Sequence, residues 1–246
     1  MLADHDAVII SFDFFRHIWY NDSLERTDQT MRQYDTIIFD LDGTLLNTLE
    51  DLADSTNEAL MRNGLPTRSL EEVRRFVGNG VARLIHLAVP EDTSPELEAK
   101  CLEEFKAHYL TNMRNKTGPY PGILGLLEAL GKQDLQLAVV SNKFDAAVKE
   151  LCADYFGSLV PLAMGERPGL EKKPAPDLVF RALEELGANP SHAVYVGDSE
   201  VDLQTARNAH LPCLAVSWGF RDRAFLTAHG AGTIVDTPEE LLGLLL

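Results

Sequence analysis

The sequence predicts an α/β fold: a doubly wound, mainly parallel Rossmann-like sheet with an inserted all-helical cap domain. From residue 36 onward, short runs rich in Val, Ile and Leu alternate with helical patterns, and each run is bounded by polar or glycine turns. Such runs are typical of strands that are buried on both faces of a parallel sheet. A stretch of about 95 residues that holds only helical patterns separates the first run from the second, and it predicts the cap.

The strands and helices of the predicted sheet alternate in regular order. The predicted strands are Thr36–Leu41, Leu137–Val140, Leu159–Ala163, Ala193–Val196 and Cys213–Val216. The predicted helices cover Ile123–Gln133, Asp145–Asp154, Pro176–Leu186 and Val201–Ala209. Pro176 suits the first turn of its helix, Gly187 suits the end of that helix, and Pro238 suits the start of a last helix.

The predicted cap contains four helical patterns, and a helical insert after the first strand of a sheet acts as a lid. They cover Thr48–Asn63, Leu70–Phe76, Val81–Val89 and Pro95–Met113. The segment 118–122 has the glycines and prolines of a hinge that returns to the core. We predict a core at residues 35–50 and 117–246, a cap at 51–116, and an N-terminal extension at 1–34. Because Met31 precedes the first strand, the extension is either dispensable or a segment that packs on the body or on a partner.

Composition excludes several classes of partner. The 246 residues carry a net charge of −16 and contain no run of five Lys or Arg, so we expect no binding to nucleic acid or to an acidic membrane. No apolar stretch approaches the roughly 20 residues that a membrane span needs. The three cysteines form no CxxC pair, and the acidic N-terminus does not resemble a signal peptide. We therefore expect a soluble cytoplasmic protein, either a monomer or a homodimer.

Two aspartates follow the first predicted strand. Asp40 and Asp42 belong to the run DLDGTL at residues 40–45, at the carboxyl end of the strand, where open α/β sheets bind ligands. A single aspartate at such a place is usually a turn or cap residue. The combination is more specific, because five fixed positions match by chance on the order of once in a million windows.

Further polar clusters follow later strands. Ser141 and Asn142 lie where a strand gives way to a helix, which predicts a seat for an anion made of side chains and helix N–H groups. Asp198 and Asp202 open another helix four residues apart, and Lys173 precedes two prolines. Each cluster alone also has an ordinary explanation: Ser141, Asn142 and Asp198 as helix caps, Asp202 as a surface acid and Lys173 as a solvated loop residue.

Together the four segments resemble the motifs of the haloacid dehalogenase superfamily of phosphohydrolases, in the same order and at such strand ends. The resemblance covers residue 35 to the C-terminus. It implies that Asp40 is a nucleophile that forms an aspartyl-phosphate, and that Asp42 is first the general acid and then the general base. It also implies that Ser141 and Lys173 hold the phosphate oxygens.

The same resemblance implies that Asn142 and the N–H groups near Gly43 assist in binding the phosphate. Mg²⁺ would be bound by Asp40, by the backbone carbonyl of Asp42 and by Asp198. Asp202 would orient Lys173 or a metal-bound water. The charges agree with a metal, because three carboxylates and a phosphate dianion face one lysine, and a divalent cation is needed to let the anions approach one another.

The helical cap resembles that of the phosphoglycolate phosphatase-like branch. Its segment Phe76–Ile85 looks like the part of the cap that faces the site, where Asn79 or Arg83 would meet a carboxylate or a second polar group of the substrate. The same residues are also typical of a helix–helix turn with Arg83 in solvent, and that interpretation stays open. Within the superfamily, Asp42 favours phosphate esters, because displacement of halide needs no protonated leaving group.

We therefore expect a Mg²⁺-dependent phosphomonoester hydrolase that acts on a small phosphorylated metabolite, with 2-phosphoglycolate as the leading candidate. The alternatives are a nucleotide or sugar phosphatase, a pyrophosphatase and a β-phosphoglucomutase-like phosphomutase. A phosphate-binding module without turnover is disfavoured, because all four catalytic positions are filled.

Overall fold

A six-stranded parallel sheet organises the chain in this computed structural model, which describes residues 33–246. Nearly all of the predicted extension at 1–34 lies outside the described residues. The strands are β1 (Thr36–Phe39), β2 (Leu46–Asn47), β3 (Gly118–Pro119), β4 (Gln136–Phe144), β5 (Leu162–Glu166), β6 (Ala193–Gly197), β7 (Cys213–Val216) and β8 (Thr233–Val235). The order across the sheet is β5-β4-β1-β6-β7-β8, and β2 pairs with β3 in a separate two-stranded ribbon.

Ten helices accompany these strands in the described part of the chain. They are α1 (Leu49–Arg62), α2 (Leu70–Phe76), α3 (Val81–Ala88), α4 (Pro95–Asn112), α5 (Ile123–Gly131), α6 (Asp145–Phe156), α7 (Asp177–Leu186), α8 (Glu200–Asn208), α9 (Arg223–Ala228) and α10 (Pro238–Leu245). None of these helices combines the length and the apolar character that crossing a membrane requires.

The central strand β1 is buried on both faces, as the sequence predicts. Ile37 and Phe39 pack in one apolar cluster with Val148 of α6, whereas Ile38 packs in a second cluster with Val179 of α7. Alternate residues of a strand point to opposite faces of the sheet, so helices cover both sides of β1. This arrangement confirms the doubly wound α/β fold class.

The register of β1 places the candidate site at one edge of the sheet. Phe39 is paired with Val139 of β4 on one side and with Val196 of β6 on the other. The three strands run in the same direction, so the residues that follow them emerge together. The motif that begins at Asp40 therefore lies between the chain segments that carry Ser141 and Asp198.

The two chain segments that join cap and core are tied together at the hinge. In the antiparallel ribbon, Leu46 of β2 is paired with Pro119 of β3, and α1 to α4 lie between these two strands in the chain. The buried carboxylate of Asp51 accepts hydrogen bonds from the backbone N–H groups of Lys116 and Thr117 and from the Thr117 hydroxyl. The domain boundaries at 50/51 and 116/117 stay predictions.

Two predicted strands differ from the observed ones by three or more residues at one end, whereas β1 ends two residues before its predicted end and β6 one residue after it. β4 continues four residues beyond the predicted end at Val140, and α6 begins directly after it. The prediction of β5 at Leu159–Ala163 was wrong by three residues, because residues 157–159 form a short 3₁₀ turn. Gly165 lies inside β5, where the chain comes close to the preceding strand: a Cβ on Gly165 would lie 2.5 Å from the Lys143 carbonyl oxygen. This glycine permits close approach of two chain segments and does not end the strand.

The short elements β2, β3, β8 and α9 are not among those that the sequence predicts. Each strand among them has two or three residues, and α9 has six. Such lengths are too short for a repeating apolar pattern to develop, so their pairing partners and not their own sequence stabilise them.

We predict that Asp51→Ala lowers the free energy of unfolding by roughly 2 to 4 kcal/mol, because two backbone N–H groups lose a charged acceptor in a buried place. Urea denaturation measures the change. The control is Asp54→Ala on the same helix, where an exposed carboxylate pairs with Lys116, and its effect is expected to stay below about 1 kcal/mol. Equal losses in the two variants would contradict the hinge role of Asp51.

Candidate active site

A cavity that is partly open to solvent lies between the carboxyl edge of the sheet and the cap. Six of the predicted site residues line it: Asp40, Asp42, Ser141, Asn142, Lys173 and Asp198. The cap contributes Leu52, Val77, Gly78, Gly80, Val81 and Leu84, so its share of the wall is backbone and apolar side chains. Segments that lie more than a hundred residues apart in the chain therefore meet in one site.

Lys173 is the buried cation of this site. Its Nζ donates to Asp40 Oδ1 at 2.8 Å, to Asp202 Oδ1 at 2.8 Å and to the Tyr195 hydroxyl at 3.0 Å. Burial alone would lower the pKa of Lys173, but the carboxylates of Asp202 and Asp40 offset burial and hold its pKa well above the usual range. The lysine is therefore charged at neutral pH, and its three N–H bonds are all directed at fixed partners.

Asp202 is fully buried and both of its oxygens are occupied. Oδ1 accepts from Lys173 and from the Tyr195 hydroxyl, and Oδ2 accepts from the backbone N–H and the hydroxyl of Ser199. Together with Ser199, it forms the capping box of α8. Asp202 is thus not a surface acid, and its contacts orient Lys173.

Asp198 precedes α8 and does not share a helical face with Asp202, which corrects the prediction from their spacing. It is not the helix cap either, because Ser199 has that position. Asp198 Oδ2 accepts from the backbone N–H of Phe220 at 2.6 Å, and Oδ1 accepts from the Thr44 hydroxyl at 3.4 Å. Burial, followed by the charges of nearby carboxylates, raises the pKa of Asp198 well above its usual range.

Asp40, Asp198 and Asp202 crowd together, with one oxygen of each within 4.8 Å of the others. The pKa of Asp40 is raised to about 7 overall: burial is the largest cause, Lys173 opposes it, and Asp202 adds to it. One lysine therefore does not balance the three acids. A buried set of hard oxygen donors with excess negative charge fits a divalent cation such as Mg²⁺.

Glycines close the backbone around Asp198. A Cβ on Gly43 or on Gly219 would collide with the Asp198 carboxylate. Gly43 also has a φ of +90°, a conformation that favours glycine. Its own N–H donates to the Leu46 carbonyl at 2.9 Å. In the structure, Gly43 lets the backbone come close to the Asp198 carboxylate. A contact between the Gly43 N–H and a phosphate stays a prediction.

Asp42 is held between two donors. The Thr48 hydroxyl donates to Asp42 Oδ1 at 2.7 Å, and Lys143 Nζ donates to Oδ2 at 3.0 Å. Lys143 is buried, and its Nζ lies 4.6 Å from the centroid of the Tyr109 ring on cap helix α4. Burial would lower the pKa of Lys143, but the Asp42 carboxylate raises it above its usual value overall. The candidate acid and base therefore has a permanent cation beside it.

Ser141 and Asn142 lie within β4 and not at the start of a helix, so the predicted seat made of helix N–H groups is absent from this segment of the described chain. The Ser141 hydroxyl is buried and accepts from the Lys143 N–H at 3.2 Å. The Asn142 amide donates to the Lys173 carbonyl at 2.9 Å and to the Gly78 carbonyl at 3.1 Å. Asn142 thus connects the lysine loop of the core with the cap.

The two cap residues proposed for specificity occupy different surroundings. Arg83 is exposed on α3, Asn79 is half-buried, and neither lines the cavity. Their role in specificity stays a prediction. The structure also brings the charged side chains of Lys143 and Arg221 to the cavity wall, and neither was among the predicted site residues. Lys143 directly follows Ser141-Asn142, which was an available signal, whereas Arg221 is marked only by the run WGFR after the last predicted strand.

Comparisons with known proteins agree with this geometry. Residues 37–216 match the profile of the haloacid dehalogenase-like hydrolase family. A phosphoglycolate phosphatase of Aquifex aeolicus is 35% identical over 189 residues, which cover 75% of this chain and 85% of the relative. A phosphoglycolate phosphatase of Chromobacterium violaceum is 31% identical over 227 residues, which cover 87% of this chain and 98% of the relative.

A solved structure shows the same architecture. The crystal structure of a putative phosphoglycolate phosphatase from Lactobacillus delbrueckii subsp. bulgaricus superposes with a TM-score of 0.83 at 38% identity. The match covers 88% of this chain and 99% of that one. With the profile match, the relatives and the shared fold in agreement, the chain belongs to the haloacid dehalogenase-like hydrolase family and is one of the phosphatases of that family.

Proposed function

We propose that the protein hydrolyses a small phosphomonoester through an aspartyl-phosphate on Asp40, and that 2-phosphoglycolate is its substrate. The observation that carries the proposal is the contact of Lys173 with Asp40 and Asp202 beside Asp198, with Asp42 two residues further along the same loop. The choice of substrate is supported by the names of the relatives. The nucleotide, sugar and pyrophosphate alternatives and the mutase alternative are outcomes of the substrate screen below.

In this proposal, Asp40 acts as the nucleophile. Lys173 engages Oδ1, so we assign the attack on phosphorus to Oδ2. In the first transfer, a bond forms between Asp40 Oδ2 and phosphorus, and the bond from phosphorus to the ester oxygen breaks. In the second transfer, water attacks phosphorus, and the Asp40 carboxylate and inorganic phosphate are released. Dividing the reaction in two makes each step a displacement that depends on positioning and on charge neutralisation.

Asp42 moves the protons. In the first transfer, it donates a proton to the leaving ester oxygen, and in the second it removes a proton from the attacking water. Thr48 and Lys143 hold its two oxygens, so its carboxylate has a defined orientation before substrate arrives. In this proposal, Ser141 and Lys173 contact the oxygens of the phosphate group, and Lys173 exchanges one of its three protein contacts for the phosphate.

The residues that would hold Mg²⁺ are Asp40, Asp198 and the backbone carbonyl of Asp42. Asp202 is not among these ligands, because each of its oxygens accepts two hydrogen bonds from the protein, whereas each oxygen of Asp198 accepts only one. When bound, the metal supplies positive charge that neutralises the phosphate oxygens. The cations of the cavity wall, Lys143, Lys173 and Arg221, each pair with a carboxylate of the protein itself, so little free positive charge remains for a dianion.

The free state of the three cysteines fits a reducing compartment, and the cytoplasm is the proposed location. A monomer or a homodimer is the expected assembly. Neither proposal affects the assignment of the site.

We predict that Asp40→Asn lowers phosphate release by about 10⁴-fold or more, because it removes the nucleophilic oxygen, and that it leaves the fold intact. Steady-state phosphate release and circular dichroism measure the two effects. Asp154→Asn makes the same chemical change at an exposed position of α6 and is expected to keep wild-type activity. Turnover retained in Asp40→Asn would overturn the nucleophile assignment.

Mg²⁺ is expected to stabilise the folded protein independently of turnover. A ligand that binds only the folded state adds about 2.7 kcal/mol when its free concentration is about 100-fold above the Kd. Thermal unfolding with and without Mg²⁺, at matched ionic strength, measures the shift in Tm. The shift should persist in Asp154→Asn and be largely lost in Asp198→Asn. An equal shift in both variants would place the metal elsewhere.

A screen of phosphorylated metabolites for phosphate release tests the substrate assignment. We expect 2-phosphoglycolate to give the highest kcat/KM in the presence of Mg²⁺. A nucleotide, a sugar phosphate or pyrophosphate as the preferred substrate would replace 2-phosphoglycolate and leave the mechanism in place. Isomerisation of a sugar phosphate in a coupled assay would instead indicate a phosphomutase.

A further inference from the structure

The cap rests on the core through backbone carbonyl groups at the carboxyl end of α2. The last carbonyls of a helix have no partner within the helix and carry the negative end of its dipole. Here one guanidinium of the core reaches three of these groups. Arg221 Nη1 donates to the Arg74 carbonyl at 2.8 Å, and Nη2 donates to the carbonyls of Val77 at 3.1 Å and Arg75 at 3.4 Å.

Two contacts within the core hold the Arg221 side chain and orient it toward α2. Its Nε donates to Glu200 Oε2 at 3.1 Å. Its guanidinium carbon lies 5.4 Å from the centroid of the Phe225 ring. The side chain is nine-tenths buried, although it follows β7 in a loop. A planar group with several fixed donors suits this place, whereas a lysine would offer a single point charge.

The contact is reinforced from both sides. Arg74 of the cap donates through Nη2 to the Gly219 carbonyl of the core at 3.3 Å. Asn142 of the core donates to the Gly78 carbonyl, one residue beyond the last carbonyl that Arg221 reaches. The cap segment 77–80 is therefore held at both of these carbonyls, and three of its residues, Val77, Gly78 and Gly80, form part of the cavity roof.

The residues that hold the cap are also neighbours of the catalytic groups. Glu200 stands two residues after Asp198, and Asn142 directly follows Ser141. Gly219 packs against the Asp198 carboxylate. The position of the roof and the geometry of the phosphate site are thus determined by the same short segments of the core.

We propose that Arg221 is a positioning residue that latches the cap over the active site and makes the enzyme select small phosphomonoesters. The inference rests on the proposed function for the identity of the reaction, but the latch itself is a contact between cap and core. With the latch in place, the roof lies against the bound ester and contributes to its binding. Without it, the roof is free to lift, so small esters lose contacts and esters with bulky leaving groups gain access.

The test compares Arg221→Ala and Arg221→Lys with the control Arg223→Ala. Arg223 begins α9 two residues away, is half exposed and pairs with Asp236, so its loss removes the same charge from the neighbouring position without touching the cap. The substrates are the preferred small ester from the metabolite screen and p-nitrophenyl phosphate, each with Mg²⁺. Measured values are kcat and KM for both substrates.

We expect Arg221→Ala to raise KM for the small ester by roughly tenfold to a hundredfold, the scale of one or two charge-assisted hydrogen bonds. The ratio of kcat/KM between the small ester and p-nitrophenyl phosphate should fall by at least about tenfold on the same argument. Arg221→Lys should recover only part of the ratio, and Arg223→Ala should keep it. A variant with lower kcat on both substrates and an unchanged ratio would overturn the latch.

Hydrogen–deuterium exchange provides a readout that needs no turnover. We expect backbone amides of residues 70–88 to exchange faster in Arg221→Ala than in the wild type and in Arg223→Ala. If the wild type hydrolyses no ester, the proposed function is wrong. The exchange experiment still tests whether Arg221 holds the cap on the core. Unchanged exchange in Arg221→Ala would overturn the proposal, and if that variant does not fold, Arg221→Lys is measured in its place.

Discussion

The ammonium group of Lys173 is the interaction on which the site depends. Buried carboxylates repel one another and lose hydration, and such groups persist in a folded protein only when they are paired and hydrogen-bonded. Lys173 meets this requirement for Asp40, at the end of β1, and for Asp202, in the first turn of α8. It also contacts Tyr195 of β6. One side chain from the loop before α7 thereby connects the strands and the helix around which the cavity is built.

The contacts of Lys173 also give the three buried aspartates different surroundings. Asp202 has no free oxygen, so it orients the lysine. Asp198 is held by the Phe220 N–H, and Asp40 shares one oxygen with Lys173. The acids exceed the lysine in charge, and the pKa of Asp40 is raised to about 7 as a result of burial and of its neighbours. This excess negative charge is the reason for the proposed divalent cation, which would offset it and let a phosphate bind despite the net charge of −16.

The cap contributes in a different way from the core. The core supplies charged side chains in fixed pairs, whereas the cap presents glycine backbone and apolar side chains to the cavity. The cap also uses its backbone to attach to the core, because the core side chains of Arg221 and Asn142 donate hydrogen bonds to cap carbonyls. The hinge has the reverse arrangement, because there a cap side chain, Asp51 of α1, accepts hydrogen bonds from the backbone N–H groups of Lys116 and Thr117. In our proposal, such a cap lifts from the core and returns without changing the contacts of Lys173 with Asp40 and Asp202.

The sequence by itself determined the fold class and the order of the motifs, because apolar periodicity and the DLDGTL run are local properties of the chain. The resemblance carried by those motifs also implied that Asp40, Ser141, Lys173 and Asp198 share one site, and all four line the observed cavity. Only the tertiary structure decided the extent of β4, the pairing of Lys143 with Asp42 and the latch formed by Arg221. Lys143 and Asp42 lie 101 residues apart, and Arg221 binds carbonyls about 145 residues away. A backbone carbonyl is present in every residue, so the sequence at the receiving end carries no sign of the contact.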